Sequence, residues 1–203
     1  MPWSGVWGQE QTRIGLIDRH FDEPFIMELA TKPAILDAVA ALIGPNVLLL
    51  ATHFFCKYGQ DSKWVAWHQD VTYWGLEPPT AITAWFAVDD SDAENGCMRV
   101  IPGSHLGGLR AHGKSDRAGN LLSINQEALV RPEEEREAID LPLHAGQISL
   151  HDGALVHGSL PNRSSRRRCG LTLRYIPAHV REVVQNPSKG PRWKTLLLRG
   201  VSP

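Results

Sequence analysis

The sequence predicts a mainly β domain, a barrel or a jelly-roll double sheet closed on itself, with helices ahead of it. Past Gly44 the chain breaks into short β-rich runs, each bounded by Gly, Pro, Asn or Asp. Just before Gly44 the apolar residues recur at helical spacing instead. A chain of 203 residues, 42% hydrophobic and 21% charged, matches one folded globular domain, so a single domain over 1–203 is expected.

The lead-in, residues 1–46, shows no clear period over its first 20 residues. Pro24–Ala30 reads as a weak helix. Residues 32–43 read as the best one, with a stripe of Ile35, Leu36, Val39, Leu42 and Ile43, Thr31 as N-cap, Pro33 in the first turn and Gly44 as the stop. The β core, residues 47–176, contains five expected strands: Val47–Lys57, Thr80–Val88, Cys97–Ile101, Gln147–His151 and Cys169–Ile176. Between about 104 and 146 the chain turns polar and Gly-rich, with a charged run from Arg131 to Glu137. That length suits a lid or insertion with a short helix, whose Glu133–Glu135 face is solvated. Residues 177–203 are left as a C-terminal tail.

Lys plus Arg total 21 against 22 for Asp plus Glu, a net charge of −1, so no global basic field favours nucleic acid or an anionic membrane. The 19 uncharged residues from Ala38 to Cys56 are interrupted by Gly44-Pro45-Asn46 and contain His53, which reads as helix, turn and strand, not a membrane span. Three cysteines, Cys56, Cys97 and Cys169, fit neither a disulfide framework nor a zinc pattern, and the first positive charge is Arg13, with no export signal before it. A reducing, cytoplasmic location is the expectation.

Spacing selects among the nine histidines. In an extended Trp67-His68-Gln69-Asp70, His68 and Asp70 share a face, about 6.6 Å apart along the strand. His157 follows 89 residues after His68, beside Gly158. Two imidazoles and a carboxylate leave about three positions open on an octahedral ion, the arrangement of non-haem Fe(II) oxygenases. 2-Oxoglutarate could supply electrons if it chelates such a metal, and its far carboxylate then needs an anchor. Arg168, eleven residues after His157, opens a strand and offers a planar two-point grip. Arg174 shares its face by parity and is a rival; Arg163, Arg166 and Arg167 read as a solvated basic turn.

From about Leu42 to Ile176 the chain resembles the phytanoyl-CoA dioxygenase family of Fe(II)/2-oxoglutarate oxygenases. The resemblance lies in Gly44-Pro45-Asn46-Val47, Trp67-His68-Gln69-Asp70, Glu94-Asn95-Gly96-Cys97, Ile101-Pro102-Gly103-Ser104-His105, His157-Gly158-Ser159 and Arg168. It implies a double-stranded β-helix in which His68, Asp70 and His157 ligate Fe(II) and Arg168 binds the 2-oxoglutarate 5-carboxylate. Ser159 would assist that carboxylate and Trp85 would line the cosubstrate pocket. Strand parity brings Thr83 to the cavity with Trp85. His53, on the preceding strand with Phe55 and Lys57, lies near where the family contacts cosubstrate. The implied activity is O2-dependent hydroxylation of an unactivated C–H bond in a small-molecule substrate, releasing succinate and CO2. Related halogenases replace the ligand carboxylate with a small residue, so Asp70 favours hydroxylation. Only about 46 residues precede the first strand, fewer than family members usually carry.

Two other readings keep the metal ligands: a non-catalytic metal- or ligand-binding β-barrel, and a cupin-like metalloenzyme that does not use 2-oxoglutarate. Cosubstrate dependence separates them. Trp64, Trp67, Trp74 and Trp85 hint at an aromatic pocket mouth. His105 is assigned to a loop turn, and His151 and Asp152, as strand neighbours, point to opposite faces. His20, His112, His144 and His179 have no partner at ligand spacing. Neither the primary substrate nor the oligomeric state is set by the sequence.

Overall fold

A computed structural model describes residues 16–122, 125–183 and 192–201. The start of the lead-in and the tail segments 184–191 and 202–203 lie outside the described residues. Two helices, α1 (Pro24–Ala30) and α2 (Pro33–Ile43), each open on a proline, whose missing N–H costs nothing at that position. Gly44 ends α2 at a φ of 92°, as its place after the apolar stripe predicts. Thr31 does not cap α2. Its hydroxyl donates back to the Met27 carbonyl and closes α1, leaving Lys32 as the N-cap residue of α2. Ile35, Leu36 and Val39 are buried, but Leu42 is exposed, because the contact stripe on α2 is narrower than the apolar one.

Among the described residues thirteen strands follow: β1 (Val47–Lys57), β2 (Val65–His68), β3 (Leu76–Glu77), β4 (Ile82–Ala87), β5 (Met98–Val100), β6 (His112–Lys114), β7 (Gln126–Ala128), β8 (Ile139–Leu141), β9 (Ile148–Asp152), β10 (His157–Ser159), β11 (Arg168–Pro177), β12 (Arg181–Glu182) and β13 (Leu196–Arg199). They form a five-stranded sheet in the order β13-β1-β11-β4-β9 and a four-stranded sheet in the order β2-β10-β5-β8, with two small two-stranded sheets, β3-β12, whose strands are far apart in the chain, and the β6-β7 hairpin. Every neighbouring pair is antiparallel. This is the double-stranded β-helix the resemblance implies.

Alternation assigns the faces of the large sheet. Ile82, Ala84, Leu171, Leu173 and Tyr175 point outward and pack with Ile26, Leu36 and Val39 of the helices, and the Tyr175 hydroxyl donates to the Ala30 carbonyl. The other face of β11 therefore presents Arg168, Gly170, Thr172 and Arg174 inward. On β1 a register shift between Leu49 and Ala51 moves the inward set from Leu48 and Leu50 to Phe55 and Lys57. A one-residue slip inverts every side chain beyond it, so this irregularity is what turns Lys57 toward the cavity.

Two expectations change. The segment expected as a lid folds as the β6-β7 hairpin and a short helix, α3 (Pro132–Arg136), but its end, β8, belongs to the four-stranded sheet. Cys56 and Cys169, 113 residues apart, are brought opposite each other by the β1-β11 register and joined as a disulfide. A pairing this distant in sequence leaves no spacing signal. Cys97 is free and buried.

Candidate active site

The β10-β2 register sets His157 opposite His68, with ring centroids 4.0 Å apart. Each imidazole places Nδ1 2.9 Å from the carbonyl oxygen two residues earlier, Ala66 for His68 and Leu155 for His157. A carbonyl only accepts, so Nδ1 carries the proton and Nε2 keeps a free lone pair, the tautomer a metal requires. Asp70 Oδ1 lies 3.5 Å from His68 Nε2, and one ligand atom from each of the three buried residues falls within 4.8 Å of the others. Asp70 is not on the strand with His68. β2 ends at His68, and Asp70 opens a 3-10 turn over Asp70–Tyr73, which brings its carboxylate back toward the imidazole.

Electrostatics favour the deprotonated set. Burial alone would raise the Asp70 carboxyl, but contacts from His151 and His68 and the charge of Arg174 hold it well below the usual carboxylate range. Burial, reinforced by His68 and His151, pushes the His157 imidazolium well below its ordinary value. A deprotonated N, N, O set with open positions suits Fe(II).

Two side chains surround Asp70. Thr83 Oγ1 donates to Asp70 Oδ2 over 2.7 Å, so Thr83 reaches the ligand carboxylate directly. His151, opposite Thr83 in the β4-β9 register, places Nε2 3.6 Å from the same oxygen and its ring 4.5 Å from that of His157. The sequence sets His151 aside because it cannot share an ion with Asp152. That reasoning holds, since Asp152 instead accepts from the Ala154 amide, but it misses Asp70, which is 81 residues away and adjacent only in the fold.

A cavity of ≈ 40 Å³ joins this cluster to Trp85, Ser159, Arg168, Thr172 and Arg174. Arg168 is 2% exposed, its Nε contacts Ser91 Oγ at 3.4 Å, and its guanidinium stacks on the Trp85 indole at 4.7 Å. Burial pushes it down to about 10, and among the described residues no carboxylate pairs with it. The neighbouring Arg167 points out to Asp89 and Arg166 to Asp92, as expected of a solvated turn. Lys57, not singled out from the sequence, is fully buried. Its Nζ donates to Ser159 Oγ over 2.6 Å and to the Leu160 and Gly96 carbonyls. Burial, then the charge of Arg168, pushes this ammonium down to about 6. Gly96 has a φ of 75°, and a Cβ there would collide with the Leu160 carbonyl, which explains the glycine of Asn95-Gly96.

His53 lies outside this lining. Its ring rests on Phe55, 4.2 Å between centroids, and Phe55 takes the cavity position on that face. Gln69, between two of the candidate ligands, points the other way. Its amide donates to the Gly108 and Ala154 carbonyls and accepts from the Arg110 amide, pinning the segment after β5 beside the cluster. A second cleft of ≈ 540 Å³, lined in part by Trp64, Trp67, Arg99 and Arg117, shares Val65 and Ser159 with the smaller cavity. Trp74 packs in the core instead.

The fold is shared with solved non-heme enzymes, and the buried His68, Asp70 and His157 form a candidate metal site of the two-histidine, one-carboxylate kind. The model of the phytanoyl-CoA dioxygenase family matches residues 8–170, and the chain belongs to that family. A Dictyostelium discoideum protein, the phytanoyl-CoA dioxygenase domain-containing protein 1 homolog, is 30% identical over 168 residues, 82% of this chain and 60% of its own length. The chain spans about half to three fifths of such curated relatives. Among solved structures, the apo non-heme monooxygenase ThoJ is 32% identical at a TM-score of 0.78, over 97% of this chain and 69% of its own. The epimerase SnoN, in complex with Fe3+, alpha ketoglutarate and nogalamycin RO, is 27% identical at a TM-score of 0.67, over 86% of this chain and 67% of its own.

Proposed function

We propose that the chain hydroxylates an unactivated C–H bond of a small-molecule substrate, using Fe(II), 2-oxoglutarate and O2 and releasing succinate and CO2. The observation that supports this most is the polarity of one cavity. One end offers two imidazoles with free Nε2 atoms and a carboxylate, and the other a buried guanidinium and a serine hydroxyl with no carboxylate partner among the described residues. That is the complement of a 2-oxo dicarboxylate lying between a metal and an arginine.

In this reading His68, Asp70 and His157 hold the metal, Arg168 and Ser159 hold the 5-carboxylate, and Trp85 walls the cosubstrate. Thr83 acts through Asp70, and His53 contributes through its contact with Phe55, not by touching the cosubstrate. Bound Fe(II) and 2-oxoglutarate supply O2 activation and two electrons. The chain's own part is to keep metal positions open, to fix the cosubstrate's direction and to exclude water. Asp70 fills the third protein position with a carboxylate, which favours hydroxylation over halogenation. The wider cleft beside Trp64 and Trp67 is the approach assigned to the primary substrate. The reading includes no nucleic-acid or membrane partner. Among the described residues no helix is long and apolar enough to cross a membrane.

The test is anaerobic addition of Fe(II) and then 2-oxoglutarate to metal-free protein, followed by visible absorption. A charge-transfer band in wild type, lost in His68→Ala and requiring more cosubstrate in Arg168→Ala, is expected. Bound iron without any band overturns the chelate and leaves the metal-binding barrel or the cupin-like enzyme.

A further inference from the structure

Cys56 and Cys169 join β1 to β11 covalently, and they face away from the cavity, on the side where Phe54 and Leu171 pack. The rung beyond them pairs Lys57 with Arg168, and with it both strands stop: β1 ends at Lys57 and β11 begins at Arg168. The crosslink therefore sits one rung from the two buried cationic groups at the Ser159 end of the cavity. Wherever Lys57 carries its proton, like charges stand directly opposite each other at the open end of the ladder, an arrangement that works against pairing. Beyond that rung Asn162 Nδ2 donates to the Tyr58 carbonyl and the Gln60 amide to the Ser164 carbonyl. The loops thus stay joined when the disulfide opens, and what slackens is the spacing of Lys57 and Arg168.

The two sulfurs differ in access. Cys169 is 5% exposed, whereas Cys56 is partly exposed, so an incoming thiolate reaches Cys56. We propose that the Cys56–Cys169 pair is a reversible modification site for dithiol reductants, and that its state sets the affinity of the adjacent anchor for the far carboxylate of 2-oxoglutarate. A thiolate of the reductant attacks Cys56 Sγ, and the Cys169 sulfur leaves and takes a proton. The reductant's second thiol then displaces Cys56, which leaves as a thiol. Two electrons and two protons pass to the protein, and the reductant closes its own disulfide. The crosslinked chain holds Lys57 and Arg168 in place before the anion arrives, whereas the opened chain has to order them on binding. This rests on the function proposed above. Cys97, free and buried, takes no part.

The full chain is prepared crosslinked and, after dithiothreitol and anaerobic desalting, reduced; thiol counts of one and three in denaturant identify the two forms. Each is loaded with Fe(II) and titrated anaerobically with 2-oxoglutarate and with 2-oxopentanoate, which keeps the 2-oxo acid but lacks the far carboxylate, reading Kd by calorimetry. Reduction should weaken 2-oxoglutarate about two- to tenfold and leave 2-oxopentanoate and Fe(II) affinity unchanged. Reoxidation should restore it. Cys56→Ser, which cannot crosslink, should match the reduced form and ignore the reductant, and reduced wild type serves in its place if that variant fails to fold. Three thiols in the air-oxidised chain, a disulfide that the folded chain keeps in dithiothreitol, or a single 2-oxoglutarate Kd for both forms overturns the proposal. So does equal weakening of both ligands, which moves the effect away from the anchor. Absence of 2-oxoglutarate binding in both iron-loaded forms overturns the underlying function, and the coupling with it.

Discussion

Lys57 Nζ donates to Ser159 Oγ over 2.6 Å, joining β1 of the large sheet to β10 of the small one, 102 residues apart. In its protonated form, below about 6 or wherever a bound anion stabilises the ammonium, Nζ has no lone pair to accept with, so the Ser159 proton must then point elsewhere, and the cavity is the direction left. The lysine thereby sets the serine as a donor toward whatever anion Arg168 holds.

The same burial makes Lys57 a source of pH dependence. In the unfolded chain its ammonium has its ordinary value of 10.5, whereas in the fold it stands at about 6. Between those values the unfolded chain holds the additional proton, so stability rises with pH across the window, and the penalty is complete below about 6. Its contribution is a slope of up to about 1.4 kcal/mol per pH unit. Melting curves of cosubstrate-free protein from pH 6 to 9 should show this rise, and Lys57→Met should flatten it. Equal slopes in the two proteins would remove Lys57 as the cause.

Gly170 carries Trp85. A Cβ at position 170 would run into the indole ring on which the Arg168 guanidinium rests. Gly170→Ala should therefore push Trp85 off its place, destabilise the fold by about 1–3 kcal/mol through overpacking, and weaken 2-oxoglutarate binding together with it. Denaturant unfolding and cosubstrate titration measure the two effects. Loss of stability with unchanged cosubstrate affinity would separate Trp85 from the anchor.

What the sequence revealed of this site depended on range. His68 and Asp70 are neighbours along the chain, and Arg168 follows His157 by eleven residues, so spacing alone proposed them. Lys57, His151 and Gln69 acquire their partners from register and loop return, across 102, 81 and 41 residues respectively, and no local pattern announces such contacts. The long strands β1, β4 and β11 have enough residues to show alternation. β2 and β10, with four and three residues, do not, although they carry both candidate histidine ligands. The basic-turn reading set Arg167 apart from Arg168, but parity could not separate Arg168 from Arg174, because both face inward and differ only in which end of the cavity they reach.

Gln69 is fully buried with both ends of its amide engaged. Gln69→Ala leaves the Gly108 and Ala154 carbonyls and the Arg110 amide without their partner, at a cost of about 1–3 kcal/mol each where water cannot enter. The expected outcome is faster hydrogen exchange across residues 106–116, with Fe(II) affinity close to wild type. Unchanged exchange there would show that the Arg110–Glu134 ion pair, 2.8 Å long, holds the segment without Gln69.

Thr83 orients the carboxylate that completes the proposed metal site. Its hydroxyl fixes Asp70 Oδ2 and leaves Oδ1 facing His68 Nε2, so the oxygen offered to a metal is chosen by a residue on another strand. Partners of this kind typically contribute about 10–100-fold to metal affinity. Thr83→Val keeps the side chain's shape and removes the hydrogen bond. It should weaken Fe(II) binding, measured anaerobically by calorimetry, within that range, while thermal stability without metal changes little because His151 still faces the same carboxylate oxygen. Thr83→Ser should restore the affinity. If Val and Ser variants bind Fe(II) alike, the hydroxyl does not set the carboxylate, and His151, the other side chain facing Oδ2, becomes the residue to change.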